Sequence, residues 1–226
     1  DHKQIMADLC SLLKKNPDQA EQILTQQDSE GYTPLYSAID TNQPDIIHQL
    51  LIATTNPRPL LTQEHDNALM VCLEKKNLHM AQLICSFAKN ISSEFLLQLF
   101  TQVDADNSNI FMLAAEHNEQ KFLEYFLDLL HDAPEIRRQI FLHNDRKGSN
   151  ALALALLFNQ EATVTYLLDY LLENDQNLLF LVIHQQNYRC YRLTQNKPAL
   201  REKIVQSLIF IIDFAKAKLR AAAPAA

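Results

Sequence analysis

Short apolar runs at helical spacing alternate with polar breaks along most of this chain. Within residues 28–51, Leu35, Ala38 and Ile39 fall on one face of a helix. A polar break at residues 42–44 separates them from a second apolar face at helical spacing. The pattern therefore predicts two short helices joined by a turn.

The first of these helices begins with strong terminal signals. Thr33 suits the N-cap, and Pro34 suits the first helical position. Gly31 stands three residues after Asp28 and suits a turn with positive φ. The complete unit is therefore predicted to be a turn, a helix, a second turn and a second helix.

This unit can be aligned with three later segments. The alignment places Asn67, Asn109 and Asn150 where the first unit has Thr33, at intervals of 34, 42 and 41 residues. Asn is itself a strong N-cap residue. Each of the two longer intervals contains an additional amphipathic run, which predicts an inserted third helix. These runs cover residues 92–100 and 133–142.

The chain's two glycines fall in the same predicted turn. Gly31 follows Asp28 by three residues, and Gly148 follows Asp145 by three. Asn107 takes the glycine position in the third unit, and Asn tolerates a left-handed backbone better than most residues. The glycines therefore support the alignment independently of the apolar pattern.

These residues resemble the ankyrin repeat, whose pattern is a turn, T-P-L-H-x-A and two antiparallel helices, about 33 residues in all. The matching residues are Thr33, Pro34, Leu35 and Ala38, with Tyr36 in the His place. The resemblance implies an all-α, ankyrin-repeat-type solenoid of helix pairs, with inserted third helices and helical caps at both ends. The divergent repeats and many amides also resemble secreted effectors of intracellular bacteria, whose ankyrin domains engage host proteins.

The repeats define a single predicted domain over residues 1–220. Its parts are an N-terminal cap at 1–27, repeats near 28–61, 62–103, 104–144 and 145–173, and a C-terminal cap at 174–220. Within that cap, residues 178–183 are predicted to be the first helix of a fifth unit. Residues 199–219 are predicted to be its long second helix, either a cap or an amphipathic helix for a partner or a membrane surface. Residues 221–226 read as a low-complexity tail or an expression remnant.

Composition narrows the classes of function. A formal charge of −7 argues against a broad nucleic-acid-binding face, since such binding depends on Lys and Arg. The longest candidate for a membrane span, residues 208–212, stops at Asp213. Cys10, Cys72, Cys85 and Cys190 lack metal-ligand spacing, and three or more of them read as reduced core thiols, although an even count of four also allows a disulfide. We therefore expect a cytoplasmic protein, or one in the host cell cytoplasm if it is an effector.

Motifs for catalysis are missing from the sequence. It contains no Gly-rich phosphate loop, no G-x-S-x-G, no H-E-x-x-H and no Cys-x-x-Cys. We therefore predict no enzyme activity in this chain, no catalytic residues, no cofactor and no bound metal.

The resemblance implies contact positions at the turns and at the ends of the first helices. In the first repeat these are Ser29, Glu30, Tyr32, Asp40 and Thr41; in the third, Asp106, Ser108, Glu116 and His117; in the fourth, Arg146, Lys147, Leu157 and Phe158. Leu157 and Phe158 are apolar at positions that should face water, so they are either a binding anchor or covered by a later segment. Tyr188, Arg189, Tyr191 and Arg192 can stack on nucleic-acid bases, grip an acidic peptide or form a connector packed on the cap, and the net acidic charge favours the peptide over bases.

The predicted function is that of a non-catalytic protein-protein interaction module. The resemblance implies that it binds a partner protein through the concave surface of the solenoid. Acidic residues in the earlier repeats favour a basic partner there, and Arg146 and Lys147 favour an acidic one in the second half. The alternative is a targeting or regulatory ankyrin domain of a larger enzyme, for example a secreted bacterial effector acting on host proteins.

Overall fold

Helices dominate the structure. The computed structural model describes residues 11–29, 31–53, 56–62, 67–186 and 189–222. No β-strand forms within these ranges, although an isolated bridge joins Thr62 and Asn67. The predicted all-α class is confirmed. Residues 11–15 are helical, and helices α1 to α15 are, in chain order, Pro17–Leu24, Pro34–Asp40, Pro44–Ala53, Arg58–Leu61, Ala68–Glu74, Leu78–Ile91, Ser93–Thr101, Ile110–Glu116, Gln120–Leu129, Pro134–Leu142, Ala151–Leu157, Glu161–Asn174, Gln176–Gln185, Arg189–Leu193 and Pro198–Ala222.

The chain divides into two compact units, Asp1–Ala105 and Asp106–Ala226. Helices α1 to α7 belong to the first unit, and α8 to α15 belong to the second. The division lies next to the predicted repeat boundary between residues 103 and 104.

Four helix pairs share one local geometry, and we call them hairpins 1 to 4: α2 with α3, α5 with α6, α8 with α9, and α11 with α12. In each, three residues connect a seven-residue first helix to a longer second helix. The middle connecting residue has a positive φ in every case, and these residues are Asn42, Lys76, Asn118 and Asn159. They are separated by 34, 42 and 41 residues, the intervals that the sequence alignment predicts.

The predicted N-caps are present in all four hairpins. Thr33 Oγ1 accepts a hydrogen bond from Tyr36 N at 3.4 Å. Asn67, Asn109 and Asn150 accept through Oδ1 from backbone N–H groups two or three residues later, at 2.9–3.2 Å. Each cap satisfies an N–H group that a helix start leaves without a partner.

The three asparagine caps make a second bond that the sequence does not predict. Their Nδ2 groups donate to carbonyl oxygens 31 or 32 residues later, in α7, α10 and α13. The three acceptors are Leu99, Ile140 and Val182, at 2.8, 3.1 and 3.0 Å. All three carbonyls lie in the last turn of their helix, where carbonyls lack intrahelical partners. One asparagine thus joins the start of a first helix to the end of a third helix, a task that needs both an acceptor and a donor.

This bond corrects the assignment of the C-terminal cap. The predicted inserted helices are confirmed as α7 and α10, and α13 is the same element in the fourth repeat, not the first helix of a fifth pair. The first helix of that pair is α14, in the segment predicted as a connector. It packs on α11, as α11 packs on α8, while α15 packs on α12. Apolar spacing alone could not distinguish a first helix from a third at residues 178–183.

The aspartate-glycine turns form as predicted. Asp28 Oδ1 accepts from Tyr32 N at 2.9 Å, and Asp145 Oδ1 accepts from Ser149 N at 2.7 Å. Gly31, Gly148 and Asn107 have φ values of 87°, 76° and 64°. The left-handed position therefore carries Gly or Asn in each of these turns.

Replacing Gly148 by Ala should lower the free energy of unfolding by about 1–2 kcal/mol, because an L-residue with a side chain is strained at positive φ. No heavy atom lies within 4 Å of an added Cβ, so the backbone alone carries the cost. Gly148→Asn is the matched control and should lose less than Gly148→Ala, since Asn already occupies this position at Asn107. Urea unfolding of the full chain measures both. Equal losses would contradict the backbone explanation.

The cysteines within the described residues are core thiols. Cys72, Cys85 and Cys190 are buried and outside any disulfide. Burial raises the pKa of the Cys72 thiol, and the neighbouring Cys85 raises it further. This confirms the prediction for these three, and Cys10 lies outside the described residues.

Candidate protein-binding surface

The last residue of each first helix and the residue after it hold equivalent places in hairpins 1 to 4. We call these two residues the end pair. The four end pairs are Asp40 and Thr41, Glu74 and Lys75, Glu116 and His117, and Leu157 and Phe158. The first three pairs are polar, and the fourth is apolar.

The apolar end pair is exposed. Leu157 and Phe158 are 43% and 47% exposed, whereas residues 151–156 of the same helix are buried. Helix α14 packs on α11 and leaves both side chains uncovered. The sequence leaves open whether this pair faces water or is covered by a later segment. Among the described residues, it faces water.

Hydrogen bonds fix the apolar end pair beside that of hairpin 3. Gln160 Nε2 donates to the carbonyl oxygen of Glu116 at 2.9 Å. Thr163 Oγ1 donates to Asn118 Oδ1, also at 2.9 Å. His117, between these two contacts along the chain, is exposed. The apolar surface is therefore held on a rigid support, with a carboxylate and an imidazole on its hairpin 3 side.

A lysine lies on the other side of hairpin 4. Lys197 Nζ donates to Asn159 Oδ1, and Asn159 directly follows Phe158. Lys197 and Gln160 both stand immediately before a second helix, and each contacts the hairpin that precedes its own. Gln160 bonds to Glu116 at the end of α8, and Lys197 bonds to Asn159 in the connection between α11 and α12. Neither residue is among the predicted contact positions, and their shared place immediately before a second helix is the sequence signal that could identify them.

The turns of hairpins 3 and 4 also lie side by side. Arg146 N donates to the carbonyl oxygen of Asp106 at 3.0 Å, and Asn107 Nδ2 donates to that of Asn144 at 2.8 Å. Arg146 and Lys147 are exposed, as the prediction requires. By contrast, Ser108 is only 4% exposed and is therefore a poor contact position. The structure thus brings Asp106 and Arg146 together on neighbouring turns.

In the first unit, the predicted contact residues are engaged with their own chain. Asp40 forms an ion pair with Lys75, and the hydrogen bond to Asp40 raises the pKa of Lys75. Thr41 Oγ1 donates to the carbonyl oxygen of Ser37 at 2.7 Å. Half-buried Tyr32 lines a shallow depression of about 370 Å³ together with Ile23. Asp40 and Thr41 nevertheless remain exposed, so these contacts leave both residues at the surface of the unit.

The other predicted contact residues, Glu30 and the aromatic and basic cluster at 188–192, are only partly covered by the described residues. Glu30 and Tyr188 lie outside the described residues. Arg189 begins α14, and Arg192, in the same helix, is exposed. The predicted aromatic and basic cluster is therefore described only at Arg192.

Within the described part of the chain, no group of three His, Cys, Asp or Glu side chains could hold a metal ion. None of the helices described is both long and apolar enough to span a bilayer.

No protein-family model matches this chain, and no curated protein matches it either.

Proposed function

We propose that the second unit is a protein-binding module in which Leu157 and Phe158 receive an apolar side chain of a partner protein. The observation that carries this proposal is the exposed apolar end pair of hairpin 4, at a place where hairpins 1 to 3 have polar residues. Burying a side chain of this size contributes about 1.5–3 kcal/mol. A few well-packed side chains near the centre of an interface carry most of its binding energy, so an apolar pair on a rigid support is a candidate for that role.

We further propose that the helix pairs belong to an ankyrin-type stack. The support is local: short first helices, a left-handed residue before each second helix, and turns closed by Asp with Gly or Asn at positive φ. First helices pack on one another within each unit, α2 on α5 and α8 on α11. The third helices α7, α10 and α13 depart from the regular repeat, which has a loop there. In this proposal the turns and end pairs of the second unit form its binding face.

The charges around the apolar end pair favour an acidic partner. Arg146 and Lys147 are exposed on the turn of the same hairpin, and Lys197 is bonded beside Phe158. Two carboxylates oppose them: Glu161, exposed at the start of α12, and Glu116, on the hairpin 3 side of the pair. We therefore propose a partner segment with an aromatic or aliphatic side chain, whose flanking carboxylates face Lys197 and the basic turn and not Glu116.

A peptide selection tests the proposal. A random peptide library displayed on phage is selected on the immobilised full chain, and the recovered peptides should combine one large apolar residue with flanking Asp or Glu. Their affinity, measured by fluorescence anisotropy, should fall roughly 100-fold in Leu157→Asp/Phe158→Asp, because two apolar contacts are lost.

Phe180→Asp is the matched control, since Phe180 is a similarly exposed aromatic residue in the second unit, at 40%. This variant should keep full affinity. Circular dichroism must first show that both variants fold. Equal binding by all three proteins would refute the proposed site, and selected peptides without acidic residues would refute the acidic flanks.

A further inference from the structure

The polar end pairs of hairpins 1 and 2 bind each other. Asp40, the last residue of α2, forms an ion pair with Lys75, the second residue of the end pair of hairpin 2. The carboxylate comes from one hairpin and the ammonium group from the next. In the first unit, the chain therefore supplies its own cation to a carboxylate at the end of a first helix.

The equivalent carboxylate in the second unit is that of Glu116, the last residue of α8. The next hairpin has Phe158, which carries no charge, at the position of Lys75. Glu116 is half-buried, and no other described residue forms an ion pair with its side chain. A carboxylate that is partly removed from water is stabilised by a nearby cation. Because the chain does not supply that cation here, another molecule can.

The apolar end pair of hairpin 4 has opposite charges on its two sides. Helix α11 packs on α8 and on α14. Its end pair lies beside Glu116 on the hairpin 3 side, and beside Lys197, which bonds to Asn159, on the other side. The acceptor of this bond is a neutral amide, so Lys197 keeps its positive charge uncompensated by it. A carboxylate, an apolar pair and an ammonium group thus follow one another along the unit.

We propose that Glu116 is a cation subsite of this surface, and that the bound segment places a lysine or arginine side chain on it. The inference rests on the proposed function of the apolar end pair. The partner's cation takes the place beside Glu116 that Lys75 takes beside Asp40. Since the partner's carboxylate faces Lys197, the bound segment is bipolar: a cation, an apolar anchor and an anion follow one another from α8 towards α14.

Helix packing sets the spacing of these three groups. The axes of packed helices lie roughly 8–10 Å apart, and an extended chain advances about 3.3 Å per residue. One helix spacing therefore corresponds to about three residues of an extended peptide. The bound segment is expected to carry opposite charges about three positions before and after its apolar residue. Both chain directions satisfy this spacing, so both orders of charge belong in the test.

Four synthetic peptides test the charge order. Each has a central phenylalanine and a charged residue three positions away on either side. Two peptides carry one lysine and one aspartate, in the two orders, and the others carry two aspartates or two lysines. In fluorescence anisotropy with the full chain, one bipolar peptide should bind about tenfold more tightly than either peptide with two like charges, because it alone satisfies both sides of the anchor.

Variants at Glu116 assign the subsite. Glu116→Gln should bring the affinities of the bipolar and doubly acidic peptides within about twofold of each other, and Glu116→Lys should make the doubly acidic peptide the tighter ligand. Glu135→Gln is the matched control, because Glu135 is an exposed carboxylate on α10 and its loss changes the net charge equally. This variant should keep the preference of the original chain. Circular dichroism confirms that each variant folds.

The outcomes separate the subsite from the anchor. If the doubly acidic peptide binds the original chain as tightly as the bipolar peptides do, the cation subsite is refuted and the apolar anchor stands. If Glu116→Gln and Glu135→Gln change the preference equally, the subsite is refuted as well. If no peptide binds, or Leu157→Asp/Phe158→Asp binds all four like the original chain, the anchor is refuted and the subsite falls with it.

Discussion

Asn150→Ala should lower the free energy of unfolding of the second unit by about 2–4 kcal/mol, a large share of the stability of a domain of this size. Asn150 is fully buried, accepts from Ala153 N at 3.0 Å and donates to the carbonyl oxygen of Val182 at 3.0 Å. The substitution removes a helix cap, worth about 1 kcal/mol. It also leaves a buried carbonyl without its donor, which costs about 1–3 kcal/mol.

Two variants separate these contributions. Asp175→Ala removes a cap in the same unit, where Asp175 Oδ1 accepts from Leu178 N at 2.9 Å, and should cost only about 1 kcal/mol. Asn150→Ser keeps a capping oxygen but loses the amide donor, so its loss should fall between the other two. Urea denaturation followed by circular dichroism gives all three values. If Asn150→Ser is as stable as the original chain, the bond to α13 contributes nothing.

Local signals made much of the fold predictable. Asn67, Asn109 and Asn150 could be recognised as caps because capping depends on a helix's own first turn. Gly31 and Gly148 could be placed in turns for the same reason: positive φ restricts the residue types locally. These signals gave the hairpins and their intervals correctly.

The role of α13 was not predictable in the same way. Residues 178–183 carry an apolar pattern that suits either a first or a third helix. The distinction lies in the bond from Asn150 to Val182, a contact between residues 32 apart in the chain. Local propensity carries no information about such a contact. The recurrence of 31 or 32 residues in all three bonds could serve as a signal in related sequences.

The residues of the candidate surface were predictable from the sequence, but their exposure to solvent was not. Leu157 and Phe158 stand out because an alignment places them where other units are polar. Whether a later segment covers them depends on where α14 and α15 pack, and α14 itself was predicted as a connector. The contact from Lys197 to Asn159 depends on the same packing. Sequence therefore indicates a position of interest, and tertiary structure decides whether it is available to a partner.

Deleting residues 198–226 should destabilise the second unit strongly. The deletion removes α15, whose Leu200 and Ile204 are buried against the rest of the unit. The deletion also removes the ion pair between Lys203 and Asp169, in which Nζ and Oδ2 are 2.7 Å apart. The two apolar side chains alone contribute roughly 3–6 kcal/mol, and the surface of α12 beneath them becomes exposed. Urea unfolding should show a broadened transition at lower denaturant, and sedimentation should show aggregation.

A shorter deletion, of residues 215–226, provides the control because it leaves Leu200 and Ile204 in place. This protein should match the original midpoint. The contrast distinguishes the inner face of α15, which stabilises the unit through Leu200 and Ile204, from the far end of the helix. If the longer deletion leaves a soluble and equally stable protein, α15 is an appendage, and a role confined to binding becomes the better explanation of the helix.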